Sequence, residues 1–314
     1  MELELTVIPP GAHPGLEAYA AVRNTVVPRE PVTAEEVARS RVRKPGDVRM
    51  LARLDWHVAG CAGAIPSDLP DRTYAAVAVL PEFRRRGIGT AFLERVAAIA
   101  REHGSGIVSG AIEEGDAAAA AFASRFGFLE AFREIEVVRP LAGDEDEGEP
   151  PAGIDIVPVG ARSGLLEGAY AVACEALPEM PLPEPYIVPP LAQWADEDAT
   201  GPGVLHEASL VALDGDRVVA FSGLLLRAAD PRLAEHGLTA VARSHRGRGI
   251  ATALKRRQIA WAARRGYREL VTWTQEGNDP MQAVNRKLGY VERPAWIRLE
   301  APLAAVEDAL GRRA

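Results

Sequence analysis

Residues 241–255 read VARSHRGRGIATALK, and this stretch decides the fold. It scans as a strand end, a short basic turn and a helix start. Arg246, Gly247, Arg248, Gly249, Ile250 and Ala251 form the turn, and Thr252 follows in the first helical turn. A turn of this kind leaves backbone N–H groups unpaired at the positive end of a helix dipole, where phosphate oxygens can bind. Gly247 and Gly249 have no Cβ, so a ligand can come close to the backbone. Arg246 and Arg248 add charge-assisted donors suited to phosphate.

The same pattern stands earlier in the chain. Residues 79–93 read VLPEFRRRGIGTAFL, with Arg84, Arg85, Arg86, Gly87, Ile88, Gly89 and Thr90 in corresponding places. The offset between Gly87 and Gly249 is 162 residues, and it holds without a gap from Val79 to Glu130 against Val241 to Glu292. Sixteen of these 52 positions are identical, including Gly104/Gly266, Gly115/Gly277 and Gly127/Gly289. Glycines matched so far beyond the turn mark two copies of one domain.

Composition sets bounds on the rest. The 314 residues fit two domains of ordinary size. Hydrophobic residues make up 47% and charged residues 25%, as in a globular protein. No apolar run approaches the roughly 18–20 residues that span a bilayer, so no membrane partner is expected. The opening MELELTVIPP is acidic and alternating, unlike a signal peptide. Cys61 and Cys174 lie in different halves without metal-type spacing, so neither a disulfide framework nor a metal site is expected. A cytoplasmic address follows as the simplest reading. The net charge of −8 argues against a nucleic-acid partner, yet the two Arg-rich turns are local basic patches. A small anionic cofactor fits such a surface.

In chain order, residues 2–8 predict a strand, and 14–25 and 33–44 predict helices, the second opened by a Thr33/Glu36 capping box. Residues 48–54 and 56–65 form a predicted hairpin, and 74–80 a strand leading into the first turn. A helix over 87–102, a strand over 106–112, a helix over 115–126 and a strand pair over 128–139 follow. Residues 143–153, GDEDEGEPPAG, lack apolar periodicity and read as a linker. The second half repeats the order: strand 154–159, helix 163–177, a hairpin around Asp214-Gly215, strand 237–242, helix 249–265, strand 268–274 and helix 279–288. Strands over 289–300 and an amphipathic stretch over 303–310 close the chain. Between helix 163–177 and that hairpin, residues 178–190 carry six prolines among thirteen and predict a stiff loop.

Each half resembles the GNAT superfamily of N-acetyltransferases. The resemblance rests on Arg84-x-x-Gly87-x-Gly89 and Arg246-x-x-Gly249-x-Ala251, each after a strand ending in valine, and on Phe126-Gly127-Phe128 and Leu288-Gly289-Tyr290 at the end of a later helix. Nearly the whole chain is similar to tandem GNAT proteins of the mycothiol-synthase type. The resemblance implies an α/β fold (α+β by some schemes) of two tandem domains, each a mixed, mostly antiparallel sheet flanked by helices. The domains are placed at 1–142 and 154–314. It also implies acetyl-CoA as cofactor, with its pyrophosphate on the two turns. Val77, Ala78 and Val79, and likewise Thr239, Ala240 and Val241, are then the strand contacts to pantetheine, whose amides suit an open strand edge. A partial dinucleotide fingerprint, Gly247-x-Gly249-x-x-Thr252, competes. It lacks the third glycine, and its acid, Glu269, falls at a strand start.

Acetyl transfer to an amine needs a base, an oxyanion site and a leaving thiolate. In GNAT enzymes the base is often a Glu near the start of the strand before the turn. Glu235 matches that position, with His236 beside it as rival. Thr73, Tyr74, Ala75 and Ala76 fill the region in the first half, so the second half is the expected catalytic one. Many GNATs carry an Asn after the fifth strand and a Tyr seven residues later as general acid. Asn278 matches the Asn. The Tyr position holds Asn285, and Ala123 in the first half. Asn285 can donate a hydrogen bond to sulfur but cannot protonate it. Tyr186 and Glu184, in the proline-rich loop, are candidate acceptor contacts. The expected function is N-acetylation of a small primary amine by a monomer or homodimer. A non-catalytic acyl-CoA-binding or regulatory protein stays open, as does acetylation of a protein N-terminus or lysine.

Overall fold

The computed structural model describes residues 2–11, 13–67, 69–182 and 186–312. The chain divides into two compact units, Met1–Phe132 with Trp296–Ala314, and Arg133–Ala295.

Unit 1 opens with β1 (Leu3–Val7), α1 (Gly15–Val26) and α2 (Ala34–Arg43). Thr33 and Glu36 form the expected capping box at the start of α2. Next come β2 (Val48–Leu54), β3 (His57–Pro66), β4 (Arg72–Val79), α3 (Ile88–Glu102), β5 (Ile107–Glu113) and α4 (Ala117–Arg125). Strands β1 to β4 pair antiparallel in sequence order, and β4 then pairs parallel with β5. In α3, Phe92, Leu93, Val96 and Ile99 recur at helical spacing and are buried against the sheet.

Residues 128–139, expected as a strand pair, form one long strand, β6 (Leu129–Pro140). Its residues from Arg133 onward belong to unit 2. That unit continues through β7 (Ile154–Pro158), α5 (Leu165–Ala176), α6 (Leu191–Trp194), β8 (Leu210–Asp214), β9 (Arg217–Leu226) and β10 (Leu233–Val241). It ends with α7 (Ile250–Arg264), β11 (Glu269–Gln275), α8 (Asp279–Lys287) and the short β12 (Val291–Glu292). Strands β7 to β10 are antiparallel and β10–β11 parallel. Each unit is thus a mixed, mostly antiparallel sheet flanked by helices. Trp194 is fully buried, edge-on to Phe221 at 5.1 Å and tilted against Tyr170 at 5.5 Å.

The last two elements, β13 (Trp296–Pro302) and α9 (Leu303–Gly311), belong to unit 1. Strand β13 lies antiparallel to β5, with Pro302 opposite Ile107. Residues 133–140 of β6 lie antiparallel to β11, with Pro140 opposite Glu269. Both differences, Pro302 from Pro140 and Glu269 from Ile107, equal the repeat offset of 162. The two pairings therefore share one register, with the copies' closing strands exchanged. Sequence pattern could not reveal this, because a closing strand fits either copy's fifth strand equally well. Leu299, Ala301, Leu303, Val306 and Ala309 fill the same core as Phe92 and Phe126.

Gly168 on α5 marks how closely that helix lies on β9. A Cβ there would meet Val218 Cγ2 at 2.6 Å and Cβ at 2.8 Å. Valine is stiff at χ1 and cannot swing aside freely. We expect Gly168→Ala to destabilise the protein by about 1–3 kcal/mol in urea unfolding, despite alanine's better helix propensity.

Candidate functional site

Backbone register creates the opening. In unit 2 the parallel ladder between β10 and β11 covers three residue pairs, from Leu233↔Glu269 to Glu235↔Val271. Both strands run on, to Val241 and Gln275, without further pairing to each other. In unit 1 the equivalent ladder likewise stops after three pairs, at Tyr74↔Ser109. The strand edges beyond these points can take an extended ligand. Strand β10 also gains one residue over β9 between His236 and Thr239, a β-bulge. The pairing of β3 with β4 is regular throughout. Counting back through the bulge, Glu235 corresponds to Tyr74 and His236 to Ala75.

The two turns are built alike. Gly249 begins α7 at φ 81° and Gly247 stands at φ 75°, the left-handed region that favours glycine. The first helical bond runs from Ala253 N–H to Gly249 O at 3.0 Å. The amides of Ile250, Ala251 and Thr252 therefore make no hydrogen bond among the described residues. A Cβ at Gly247 or Gly249 would meet nothing within 4 Å, so the turn faces open space. In unit 1, Gly87 begins α3 at φ 83°, and Ala91 N–H bonds Gly87 O at 3.0 Å. The amides of Ile88, Gly89 and Thr90 are left open in the same way.

The arginines have further partners. Arg246 Nε donates to Val241 O at 3.0 Å, and Arg84 Nε to Val79 O at 3.1 Å, so each braces its turn against the strand end. Arg246 also pairs with Glu179 at 2.7 Å, and Arg243 pairs with the same carboxylate. Arg246 and then Arg243 hold the Glu179 carboxyl below its ordinary range. Arg248 lies 3.7 Å from Asp214, which also bonds His245. Free amides and braced guanidiniums thus divide the labour at the turn. Asn278 caps α8 without a side-chain bond, whereas Asp116 in unit 1 accepts from Ala119 N–H at 2.9 Å.

Glu235 and His236 are neighbours with different surroundings. The Glu235 carboxylate is partly exposed and ion-paired with Arg227 at 3.0 Å. His236 is buried, with Nδ1 at 3.0 Å from Gln258 Oε1 and Nε2 at 2.5 Å from Tyr290 Oη. The Gln258 amide NH₂ donates to the carbonyls of Ala208 and Ser222, which fixes Oε1 as an acceptor. His236 therefore carries its proton on Nδ1 and accepts from Tyr290 on Nε2. Burial, then the nearby Lys255 charge, hold its pKa well below the ordinary value of 6.5. A ring so engaged is a structural brace.

Sequence reasoning missed Lys255. It lies in α7, 1% exposed. Its Nζ donates to Asn285 Oδ1 at 3.0 Å and stands 5.4 Å from the Tyr290 ring centroid. No carboxylate pairs with it among the described residues, and burial pulls its pKa from 10.5 to about 7. The Asn285 Nδ2 and Thr274 Oγ1 atoms are buried without a partner. Both residues line a cavity of about 260 Å³ together with Gln282 and Tyr290. The repeat offset held the signal: it pairs Lys255, Gln258, Asn285 and Tyr290 with Leu93, Val96, Ala123 and Phe128. Tyr186 packs in the Trp194 cluster, and Glu184 lies outside the described residues.

The family model for the Acetyltransferase (GNAT) family matches residues 17–128 and again 171–290. The chain belongs to this family, twice over. It is 28% identical over 258 residues to a mycothiol acetyltransferase of Catenulispora acidiphila, covering 79% of each chain. Among solved structures it is similar to a tandem GNAT protein from the clavulanic acid biosynthesis pathway, with TM-score 0.76, 20% identity, and coverage of 96% of this chain and 99% of that one. A GCN5-related N-acetyltransferase from Sphaerobacter thermophilus matches with TM-score 0.73 and 20% identity, over 95% and 96% of the two chains. Among the described residues no helix is long and apolar enough to cross a membrane.

Burying an amine with a depressed pKa has a definite sign. Below about 7 the folded protein holds a buried cation; above 10.5 the amine is neutral in both states and the penalty is gone. We expect Lys255→Met to be more stable than the parent at pH 7. Between pH about 7 and 10.5 the gap should close by up to about 1.4 kcal/mol per pH unit. Urea unfolding at a series of pH values reads this directly.

Proposed function

We propose that unit 2 transfers an acetyl group from acetyl-CoA to the primary amine of a small molecule. The observation that carries this is the place of Glu235. It is the last residue of the parallel ladder, where β10 and β11 part, and unit 1 has Tyr74 there. The open amides of Ile250, Ala251 and Thr252 fit pyrophosphate oxygens at the helix start. The free edge of β10, through Thr239, Ala240 and Val241, fits the amides of pantetheine. The mycothiol acetyltransferase relative supports acetyl transfer over binding alone.

Acetyl-CoA supplies the activated acyl group when bound. Glu235, ionised beside Arg227, accepts a proton from the acceptor's ammonium, directly or through water. The bulge between His236 and Thr239 frees backbone N–H groups that can hold the carbonyl oxygen as it gains charge. The amides of unit 1 fit a second CoA, but with Tyr74 at the ladder's end that site lacks a base. The non-catalytic alternative draws on one observation, the Asn285 and Ala123 side chains where the family's tyrosine stands.

Calorimetry with CoA tests the turns. Aspartate in the first turn of a helix favours folding but competes with a bound anion. Thr252→Asp is expected to weaken CoA binding in unit 2 by at least about tenfold, and Thr90→Asp to do the same in unit 1. If the double variant binds CoA like the parent, the phosphate assignment is wrong.

Steady-state kinetics test the base. Glu235→Gln should lower kcat by at least about tenfold and remove the rising limb of the pH profile. CoA affinity should stay within about threefold. His236→Gln should have the smaller effect on that limb, since His236 is a buried, neutral brace. A parental profile in Glu235→Gln would pass the role to another group.

A further inference from the structure

The polar cluster beneath the opening of unit 2 has no counterpart in unit 1, though the fold is the same. His236, Lys255, Gln258 and Asn285 stand where unit 1 has Ala75, Leu93, Val96 and Ala123. Leu93, Val96 and Ala123 are ordinary buried core there. Folding alone is served by the apolar set. A buried ammonium is costly, and one without a carboxylate is costlier still. Its retention at Lys255 needs another reason.

Three observations place Lys255 at the reacting end of the site. His236, beside it, is the first residue beyond the last parallel pair, so the cluster lies where β10 and β11 part. Lys255 follows the open amide of Thr252 by three residues, or about 4.5 Å along the α7 axis. Its acceptor is Asn285, at the position where the family's general acid stands. Beside Asn285 is the cavity that holds two buried polar atoms without partners, Asn285 Nδ2 and Thr274 Oγ1. Buried polar atoms of that kind are rare unless water or a ligand completes them.

We propose that the Lys255 ammonium is the proton donor to the departing CoA thiolate in unit 2. The assignment rests on the acetyl-transfer reading above. As the acyl C–S bond breaks, its electron pair stays on sulfur. An N–H bond of Lys255 breaks and an S–H bond forms, leaving a neutral amine. The acceptor's ammonium loses two protons in becoming an amide, the first to water through Glu235 before attack and the second to water as the tetrahedral intermediate collapses. Lys255 regains one from water after the thiol leaves, so one proton is released per turnover. The groups facing Lys255 leave it this role. His236 on β10 is neutral, Asn285 on α8 cannot ionise, and Gln258 lies on its own helix. The Tyr290 hydroxyl already donates to His236, and burial pushes its pKa up. The ammonium pKa of about 7 suits transfer near neutral pH.

The test uses the whole protein with CoA itself as probe. Calorimetry first measures CoA binding to the parent, Thr90→Asp and Thr90→Asp/Lys255→Met proteins, the first substitution confining CoA to unit 2. The pH dependence of acetyl-CoA turnover then reads the donor. In the Thr90→Asp protein kcat should fall as pH rises through about 7, where the ammonium is lost, and Lys255→Met should lack that falling limb. Lys255→Met should also lower kcat about 10²–10⁴-fold, with CoA affinity nearly intact. The Tyr290→Phe protein should keep the falling limb. If Thr90→Asp protein binds no CoA, the acetyl-transfer reading itself falls. If CoA binds and kcat follows the same pH profile with and without Lys255, the proton-donor role alone is overturned. Lys255→Met is expected to gain stability, so misfolding cannot mimic the result.

Discussion

A parallel ladder that stops early is the constraint on which each unit's site depends. Three pairs tie β10 to β11, and three tie β4 to β5; beyond them backbone groups face a gap instead of a partner. Buried backbone groups seldom stay unpaired, so a gap of this kind calls for a ligand with amides of its own. The glycine-led helix beyond the strand supplies the second anchor, open amides at a positive helix end. Both are properties of backbone. They tolerate wide variation in side chains, which is why one scaffold can be kept twice in a chain while its chemistry diverges.

The two copies show that divergence within one molecule. Unit 1 keeps the ladder and the glycine turn, but lines the underside with Leu93, Val96 and Ala123 and has Tyr74 at the ladder's end. Unit 2 has a carboxylate at the ladder's end, a bulge in β10 and a hydrogen-bonded set of polar side chains beneath it. Unit 1 is in effect an internal reference for what the fold alone requires. What unit 2 adds beyond it is electrostatic: a lysine held in apolar surroundings and a histidine locked in one tautomer. Low dielectric sharpens both effects, since a charge buried there is neither screened nor solvated.

Much of this was legible in the sequence, and what was hidden was hidden for identifiable reasons. The turn around Gly249, its twin at Gly87 and the order of strands and helices follow from local signals. Asn285 stood out because a motif places a tyrosine there. Lys255 did not, because a lysine on an amphipathic helix ordinarily lies on the solvated face. Only comparison with Leu93 shows that its position points inward. The bulge at His236–Thr239 escaped because one extra residue leaves no mark in a strand read alone. The destination of residues 296–302 escaped because pairing partners are tertiary facts. The roles expected of Arg246 and Arg248 rested on charge; geometry shows Arg246 bracing the turn through Val241 O.

The exchange of closing strands has a consequence for how the protein is made. Unit 2 is a continuous segment, Arg133–Ala295, whereas unit 1 needs both the first stretch of chain and the last. On the ribosome, β5 emerges before unit 2, but its antiparallel neighbour β13 emerges only after it. Unit 1 must therefore wait, with the β5 edge open and part of its core missing, while the whole of unit 2 is synthesised. At about 5–20 residues per second that interval is on the order of ten seconds or more. An exposed strand edge over that time is a template for mispairing. Strand β6, whose register with β11 equals that of β13 with β5, is the nearest strand able to cover that edge in the meantime.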